Sequence, residues 1–434
     1  MLGSRRPSGG AASCYILAMN LAEELKARGL IEHHSAPPEE IFASPRTVYL
    51  GVDPSADSMQ AGNLAVVLLI KRLADAGNKF VLLVGGGTGM IGDPRESGER
   101  KLADPNVVAK NAKAIRSQME RIIGKRIRVV NNADWLLKIK LIDFLRDIGK
   151  HFTVNELIKR DIIRKRLETP DESISYTEFA YSLLQGYDYL ELNKKLGVDL
   201  QIGGSDQWTN ILSGVELIRR KEGKTAYAFT CPLVTDANGK KFGKSEGNAV
   251  WLDPKKTSPF TFYQFWLNLP DDGLEQYLKM YTFMPVQEID LLMETHRRNP
   301  SARQAQETLA RLVTEIVHGP AATAQAAAAT DALFGNTPFG KLSREARAVA
   351  LAEAPSVTLS ILQLEHGFSL AELLVQGGLA NSKSDARRLI EAKGVSLSGL
   401  PIQEPDQKLY RGDFVDGHAL VRKGKQGVLV VVLK

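Results

Sequence analysis

Tyr181, Gln185 and Asp188 fall at i, i+4 and i+7 of a segment with helical spacing, 179–189, and so share one face. Three hydrogen-bonding groups on one stripe suit a ligand-facing helix, because each needs a partner when buried; a partly exposed surface helix accounts for the same spacing equally well. A second group follows the apolar run Val198–Ile202, where Gly203 and Gly204 lead into Asp206 and Gln207. A carboxylate at such a strand end is placed to accept from ribose hydroxyls. The third group is cationic: Lys240, Lys241 and Lys244 share the short loop 239–248 and suit the compensation of phosphate charge. Gly243, Lys244 and Ser245 invite a phosphate-loop reading. The glycine which that motif needs five residues earlier is Asn238, and no apolar helix follows, so the motif is excluded.

These groups need a scaffold. Thr47–Val52, β-branched and bounded by Pro45 and Pro54, reads as a strand, and 62–76 reads as a buried helix closed by Gly77. The polar loop between them ends at a helix N-terminus, where free N–H groups and the helix dipole favour phosphate; an ordinary strand-loop-helix connection has the same look. Lys79–Val84 is a second strand, apolar throughout as if covered on both faces. It runs into the glycine-rich stretch 85–94, which lets backbone approach a ligand but lacks the helix start of a dinucleotide fingerprint. The charged stretch 95–101 fits either a loop reaching for phosphate or a solvated turn, and 127–132 reads as the next strand. Strands alternating with helices predict an α/β fold with a doubly wound, mainly parallel sheet. Its ligands would bind at the carboxyl ends of the strands, which puts 51–63 and 85–93 on one rim if their strands are neighbours.

The chain of 434 residues is long enough for two or three domains. Its 44% hydrophobic and 24% charged residues are those of a globular protein, and the net charge of +6 permits a polyanionic partner. Cys14 and Cys231 are its only cysteines, too few for a disulfide framework or a zinc cluster. No apolar run approaches the roughly 20 residues needed to span a bilayer, so a cytoplasmic location with no membrane contact is expected. Residues 1–18, basic and Gly/Ser-rich, read as a disordered leader or the product of an upstream start, with a transit peptide as the alternative.

Five motifs in order carry a family resemblance. Lys241-Phe-Gly-Lys-Ser245 resembles the KMSKS signature of class I aminoacyl-tRNA synthetases, in the form typical of bacterial tyrosine-specific members. The stretches 53–58, 84–94, 181–188 and 202–208 resemble the same enzymes, and the likeness runs from about Asn20 to the C-terminus. It implies a Rossmann-like catalytic domain (19–250), an all-helical tRNA-contacting domain (251–340), a linker (341–365) and a small α+β RNA-binding domain of the ribosomal-protein-S-four type (366–434). It also implies ATP-dependent formation of tyrosyl-adenylate, then transfer of tyrosine to the 3′ end of tRNA(Tyr). Mg²⁺ would accompany ATP as substrate, with no tightly bound cofactor or resident metal.

Carried over by position, Tyr49 and Asp188 would bind the phenolic hydroxyl of tyrosine, and Asp93, Tyr181 and Gln185 the α-ammonium. Gln201 and Gln207 would line the same pocket. ATP would meet Asp53, Ser55, Gly62, Asn63, Gly204, Asp206 and Lys244. Lys241 and Lys244 would neutralise its phosphates, helped by Gln60, Asn63 and Arg100. Gln60 and Asn63 stand where the family's HIGH signature has two histidines. Lys383, Arg387 and Arg388 would contact RNA, with Arg422, Lys423 and Lys425 nearby, and residues 144–157 resemble the family's homodimer interface. Two rivals are a catalytically weakened paralogue that serves as an RNA-binding protein, and a ligase for tryptophan, whose indole lacks the hydroxyl that Tyr49 and Asp188 would bind.

Overall fold

The computed structural model describes residues 20–93, 104–158, 161–169, 173–234, 244–245, 248–335, 337–424 and 427–434. The leader 1–18, Arg100, Lys241 and Lys425 lie outside the described residues, and Lys244 is described through its backbone alone.

The chain enters through helix α1 (Leu21–Ala27), capped by the Asn20 side chain. A six-stranded sheet follows, built from β1 (His33–His34), β2 (Thr47–Val52), β3 (Lys79–Val84), β4 (Arg128–Asn131), β5 (Leu200–Gly204) and β6 (Tyr227–Cys231). Their order is β1-β6-β5-β2-β3-β4, and all neighbours are parallel except β1 on β6. The chain winds outward from β2 through β3 and β4, then returns to start β5 on the other side of β2. The switch in strand order therefore falls between β2 and β5. Alternate side chains of each strand enter different cores, as a period of two requires. Val48 and Leu82 pack beneath helix α2 (Ala61–Asp75) and helix α3 (Pro105–Ile123), while Tyr49, Val81 and Leu83 pack against helix α4 (Tyr176–Leu196) and helix α5 (Trp208–Glu222). Both faces are covered, which accounts for strands that are apolar throughout.

Past the sheet, β7 (Lys244–Ser245) and β8 (Asn248–Ala249) pair as an antiparallel hairpin. Helices α6 (Pro259–Leu267), α7 (Leu274–Tyr281), α8 (Val286–Arg298), α9 (Gln304–His318) and α10 (Pro320–Phe334) then share a core with the α2 face of the sheet, around the fully buried Trp266. Arg28 and Arg72 reinforce that junction. Both are buried, and their guanidiniums donate to the backbone oxygens of Lys279, Thr282 and Met284 around the end of α7, where the helix dipole favours positive charge.

The segment 341–365, expected to be a linker, is instead structured. It holds helix α11 (Arg344–Glu353), capped by Ser343, and strand β9 (Ser356–Leu359), which pairs in parallel with the final strand of the chain. The helix escaped notice because its buried positions are Ala346 and Ala350, too small to mark a hydropathic period.

Beyond it come β10 (Phe368–Ser369), α12 (Leu370–Gln376), α13 (Lys383–Glu391), β11 (Val395–Leu397), β12 (Leu400–Pro401), β13 (Lys408–Leu409), β14 (His418–Lys423) and β15 (Gly427–Leu433). Strands β12-β11-β14-β15-β9 form one sheet, and Ser382 caps α13 through the Asp385 N–H. One face of this sheet has its own core; Leu420, Val428 and Val430 on the other belong to the core shared with α10 and α11.

Candidate active site

The carboxyl ends of β2, β3 and β5 meet at a cleft of about 480 Å³, within the range of small-molecule sites. Every described residue assigned above to tyrosine or ATP lines it, apart from Lys244.

At its closed end Tyr49 of β2 sits opposite Gln201 of β5 in the strand register. Both are buried, and among the described residues neither the Tyr49 hydroxyl nor the Gln201 Oε1 has a hydrogen-bond partner. Buried polar atoms without partners are rare, and two side by side in a cleft suit a polar ligand group. Asp188 of α4 is buried beside them. Its Oδ2 accepts from Asn132 Nδ2 at 2.9 Å and its Oδ1 from Trp135 Nε1 at 2.7 Å. Burial pushes its carboxyl up to about 7 against the pull of those two donors, with Asp53 and Glu191 adding to the rise. Burial, with Asp188 nearby, likewise raises the Tyr49 hydroxyl well above its ordinary range, so it stays a neutral donor.

Asn132 ties this end to the nucleotide side. Its Oδ1 accepts from the Gly87 N–H at 2.7 Å, and its Nδ2 also reaches Thr88 Oγ1 at 2.9 Å. Thr88 donates to Asp53 Oδ1 and the Tyr181 hydroxyl to Asp53 Oδ2, each at 3.2 Å. The glycine-rich loop exists for this approach: a Cβ on Gly85 would stand 1.9 Å from Asp53 Oδ1. Asp93 closes the opposite wall, accepting from Gln207 Nε2 at 2.8 Å and Asn210 Nδ2 at 3.1 Å. Gln207 therefore acts on Asp93.

On the phosphate side the start of α2 lines the cleft through Gln60, Gly62 and Asn63. The Asn63 side chain is exposed; its Oδ1 accepts from the Gln60 N–H at 3.0 Å, which leaves the Nδ2 end as a donor. The strand segment after the lysine hairpin is bonded to this same start: Ala61 N–H donates to Val250 O at 2.8 Å and Leu252 N–H to Met59 O at 2.9 Å. The hairpin carrying Lys244 thus begins a few residues from the N-terminus of α2.

Sequence reasoning missed Asn132, Trp135, Thr88 and Asn210. The adjacent pair Asn131-Asn132 at the end of a strand was the available signal. The basic patch of the C-terminal region also needs correction. Arg422 Nη2 donates to Ala332 O at 2.8 Å and docks the sheet onto α10, while Lys423 Nζ donates to Leu379 O at 2.7 Å. Lys383, Arg387 and Arg388 remain exposed on α13; Lys383 pairs with Glu372, and Arg387 with Asp406 at 3.2 Å. Among the described residues, no group of three or more His, Cys, Asp or Glu could hold a metal, and no helix is long and apolar enough to cross a membrane.

A doubly wound sheet with its cleft at the switch point and a lysine hairpin beside the first helix is matched by the family described as tRNA synthetases class I (W and Y), over residues 43–335, and the chain belongs to that family. Residues 348–431 match the tyrosine–tRNA ligase SYY-like C-terminal domain. At the level of the whole chain its relatives are tyrosine–tRNA ligases. It is 43% identical to that of Anaeromyxobacter dehalogenans over 96% of this chain and 100% of the relative. It is 44% identical to that of Roseiflexus castenholzii over 94% and 97%. Among solved structures, a C-terminally truncated mitochondrial tyrosyl-tRNA synthetase from Aspergillus nidulans superposes with a TM-score of 0.62 at 31% identity, covering 70% of this chain and 91% of that one.

Proposed function

We propose that this chain is a tyrosine–tRNA ligase: it joins the carboxylate of L-tyrosine to the α-phosphate of ATP, releases pyrophosphate, and transfers the tyrosyl group to the 3′ end of tRNA(Tyr). The observation that carries the reading is the unpartnered Tyr49 hydroxyl beside Asp188. A phenol placed there donates to the Asp188 carboxylate and accepts from Tyr49, and it needs both. Asp93, held between Gln207 and Asn210, supplies a negative charge for the α-ammonium; Tyr181 and Gln185 line the cleft with it.

The substrate carboxylate is already a nucleophile, so no general base is required. Its oxygen attacks the α-phosphorus while the bond to the pyrophosphate bridging oxygen breaks. The protein's part is to align the two and to stabilise charge on the departing pyrophosphate. The N-terminus of α2, Asn63 Nδ2, and Lys241 and Lys244 serve that end, Asp206 takes the ribose hydroxyls, and Mg²⁺ enters with ATP. Tyrosine-dependent exchange of pyrophosphate into ATP tests the reading, and a folded protein without exchange contradicts it. The replacement of both signature histidines by Gln60 and Asn63 favours the second reading, an RNA-binding paralogue with weakened activation; exchange at an ordinary rate eliminates it.

Protonation of Asp188 gives a pH signature. The ionised form accepts the phenolic hydrogen, so affinity must fall as pH falls through the range of its raised pKa. Titration calorimetry should show a constant tyrosine Kd above about pH 8 and a Kd rising about tenfold per pH unit below about pH 6.

We also propose that the chain is a homodimer. Leu137, Leu141 and Ile142 are 68%, 69% and 70% exposed, and Leu145, Val154 and Ile158, close by in the chain, are exposed as well. Sedimentation velocity should give a dimer for the unaltered chain and a monomer for the Leu141→Asp/Ile142→Asp double variant.

A further inference from the structure

Helix α3 buries two amides among its apolar residues. Asn111 and Gln118, 6% and 8% exposed, are seven residues apart and so lie on one face, with Ile115 between them. Among the described residues, their side-chain hydrogen bonds all go to a single loop. Asn111 Nδ2 donates to Pro54 O at 3.0 Å. Gln118 Oε1 accepts from the Met59 N–H at 3.0 Å, while its Nε2 donates to Ser58 Oγ at 2.9 Å. Ser58 Oγ in turn donates to Met59 O at 3.0 Å. The loop so held connects the two parts of the phosphate side, since Asp53 precedes it and Gln60–Asn63 follow it. Its own Ser55 and Ala56 line the cleft. Two turns of α3, about 10 Å of helix, therefore gauge the distance between the strand end and the start of α2.

Neither amide bonds directly to the tyrosine end, which among the described residues reaches the loop only through Asp53. Tyr49 belongs to β2, and Asp188 is fixed by Asn132 and Trp135, none of which bonds to either amide.

We propose that Gln118 and Asn111 are positioning residues of the nucleotide subsite, fixing the 54–59 loop so that Asp53 and the α2 N-terminus meet ATP at a set spacing. The proposal rests on the ATP-dependent activation put forward above. Gln118→Met fills the same space but leaves the Met59 N–H and the Ser58 hydroxyl without their partner. Gln118→Glu keeps the acceptor for the Met59 N–H and, in the protonated form that burial favours, also the donor that Ser58 Oγ accepts from.

The test uses the full chain, with pyrophosphate exchange for KM and kcat, equilibrium dialysis for tyrosine, and thermal melting. Gln118→Met should raise the KM for ATP by about tenfold or more and leave the tyrosine Kd within about twofold; Gln118→Glu should recover most of the loss, and Asn111→Leu should raise the KM about threefold. A role in packing alone predicts a lower melting temperature with KM for ATP unchanged, or with both substrates weakened together. Either result overturns the proposal, as does a glutamate variant no better than methionine. If Gln118→Met does not fold, Gln118→Glu and Asn111→Leu decide, and an unaltered KM for ATP in both overturns it. Absence of exchange in the unaltered chain removes the functional reading and this proposal with it, whereas exchange there with unaltered variants removes this proposal alone.

Discussion

Asp188→Asn should cut kcat/KM for tyrosine by about a hundredfold while barely changing the small rate with phenylalanine, because it removes a charge-assisted hydrogen bond that only the phenol makes. The substitution preserves shape but not polarity. The wild-type carboxylate accepts from Asn132 and Trp135 on separate oxygens, and an asparagine must turn its NH2 toward one of these donors. A modest fall in melting temperature should accompany the lost activity. The pH dependence of tyrosine affinity should disappear as well, since the titrating group is gone. Steady-state exchange with both amino acids, run from pH 5.5 to 8.5, reads the rates and their pH dependence, and thermal melting reads the stability. An unchanged ratio of tyrosine to phenylalanine activity would place the phenol elsewhere.

Replacement of Asn63 separates activation from binding. Asn63→Ala should slow tyrosyl-adenylate formation by about ten- to a hundredfold, the worth of one hydrogen bond to a charged phosphate oxygen, with tyrosine affinity unaltered. Part of that loss comes from the helix start, because Asn63 Oδ1 also accepts the Gln60 N–H. Asn63→Asp tells the two apart. It keeps the cap acceptor but has no donor and adds negative charge beside the phosphates, so it should be slower than alanine if the amide serves ATP. Rapid-quench measurement of the adenylate gives the rates. An aspartate variant faster than alanine would assign Asn63 to capping alone.

The scaffold was largely legible because its signals are local. The strand 47–52, the helix that Gly77 closes and the glycine-rich loop at 85 each announce themselves by residue type, and the β2–β3 pairing puts both loops on one rim, as the alternation of elements implied. What stayed hidden depends on contacts distant in sequence. Asn132 and Trp135 hold Asp188 from 56 and 53 residues away, and in the sequence they look like a strand end and a packing tryptophan. Arg422 looks like part of a basic patch but docks one domain on another through the carbonyl of Ala332, 90 residues earlier. Small side chains concealed helix α11. The edge strand β1, two histidines long, is too short to leave a pattern.

The pocket polarity has one further consequence. A site that leaves the buried Tyr49 hydroxyl unpaired, and the Asp188 carboxylate short of a donor it could still accept, rejects phenylalanine because no ligand hydroxyl satisfies them, and it rejects tryptophan for the same reason. For tyrosine-specific synthetases as a class, discrimination against phenylalanine is about 10⁵-fold.

Amino-acid-dependent exchange of pyrophosphate into ATP, measured in parallel with tyrosine, phenylalanine and tryptophan, tests that pocket most directly. Exchange with tyrosine, and rates lower by several orders of magnitude with the other two, is the predicted result; equal or faster exchange with tryptophan, or none with any of the three in a folded protein, would contradict the assignment of Tyr49 and Asp188 to a phenol.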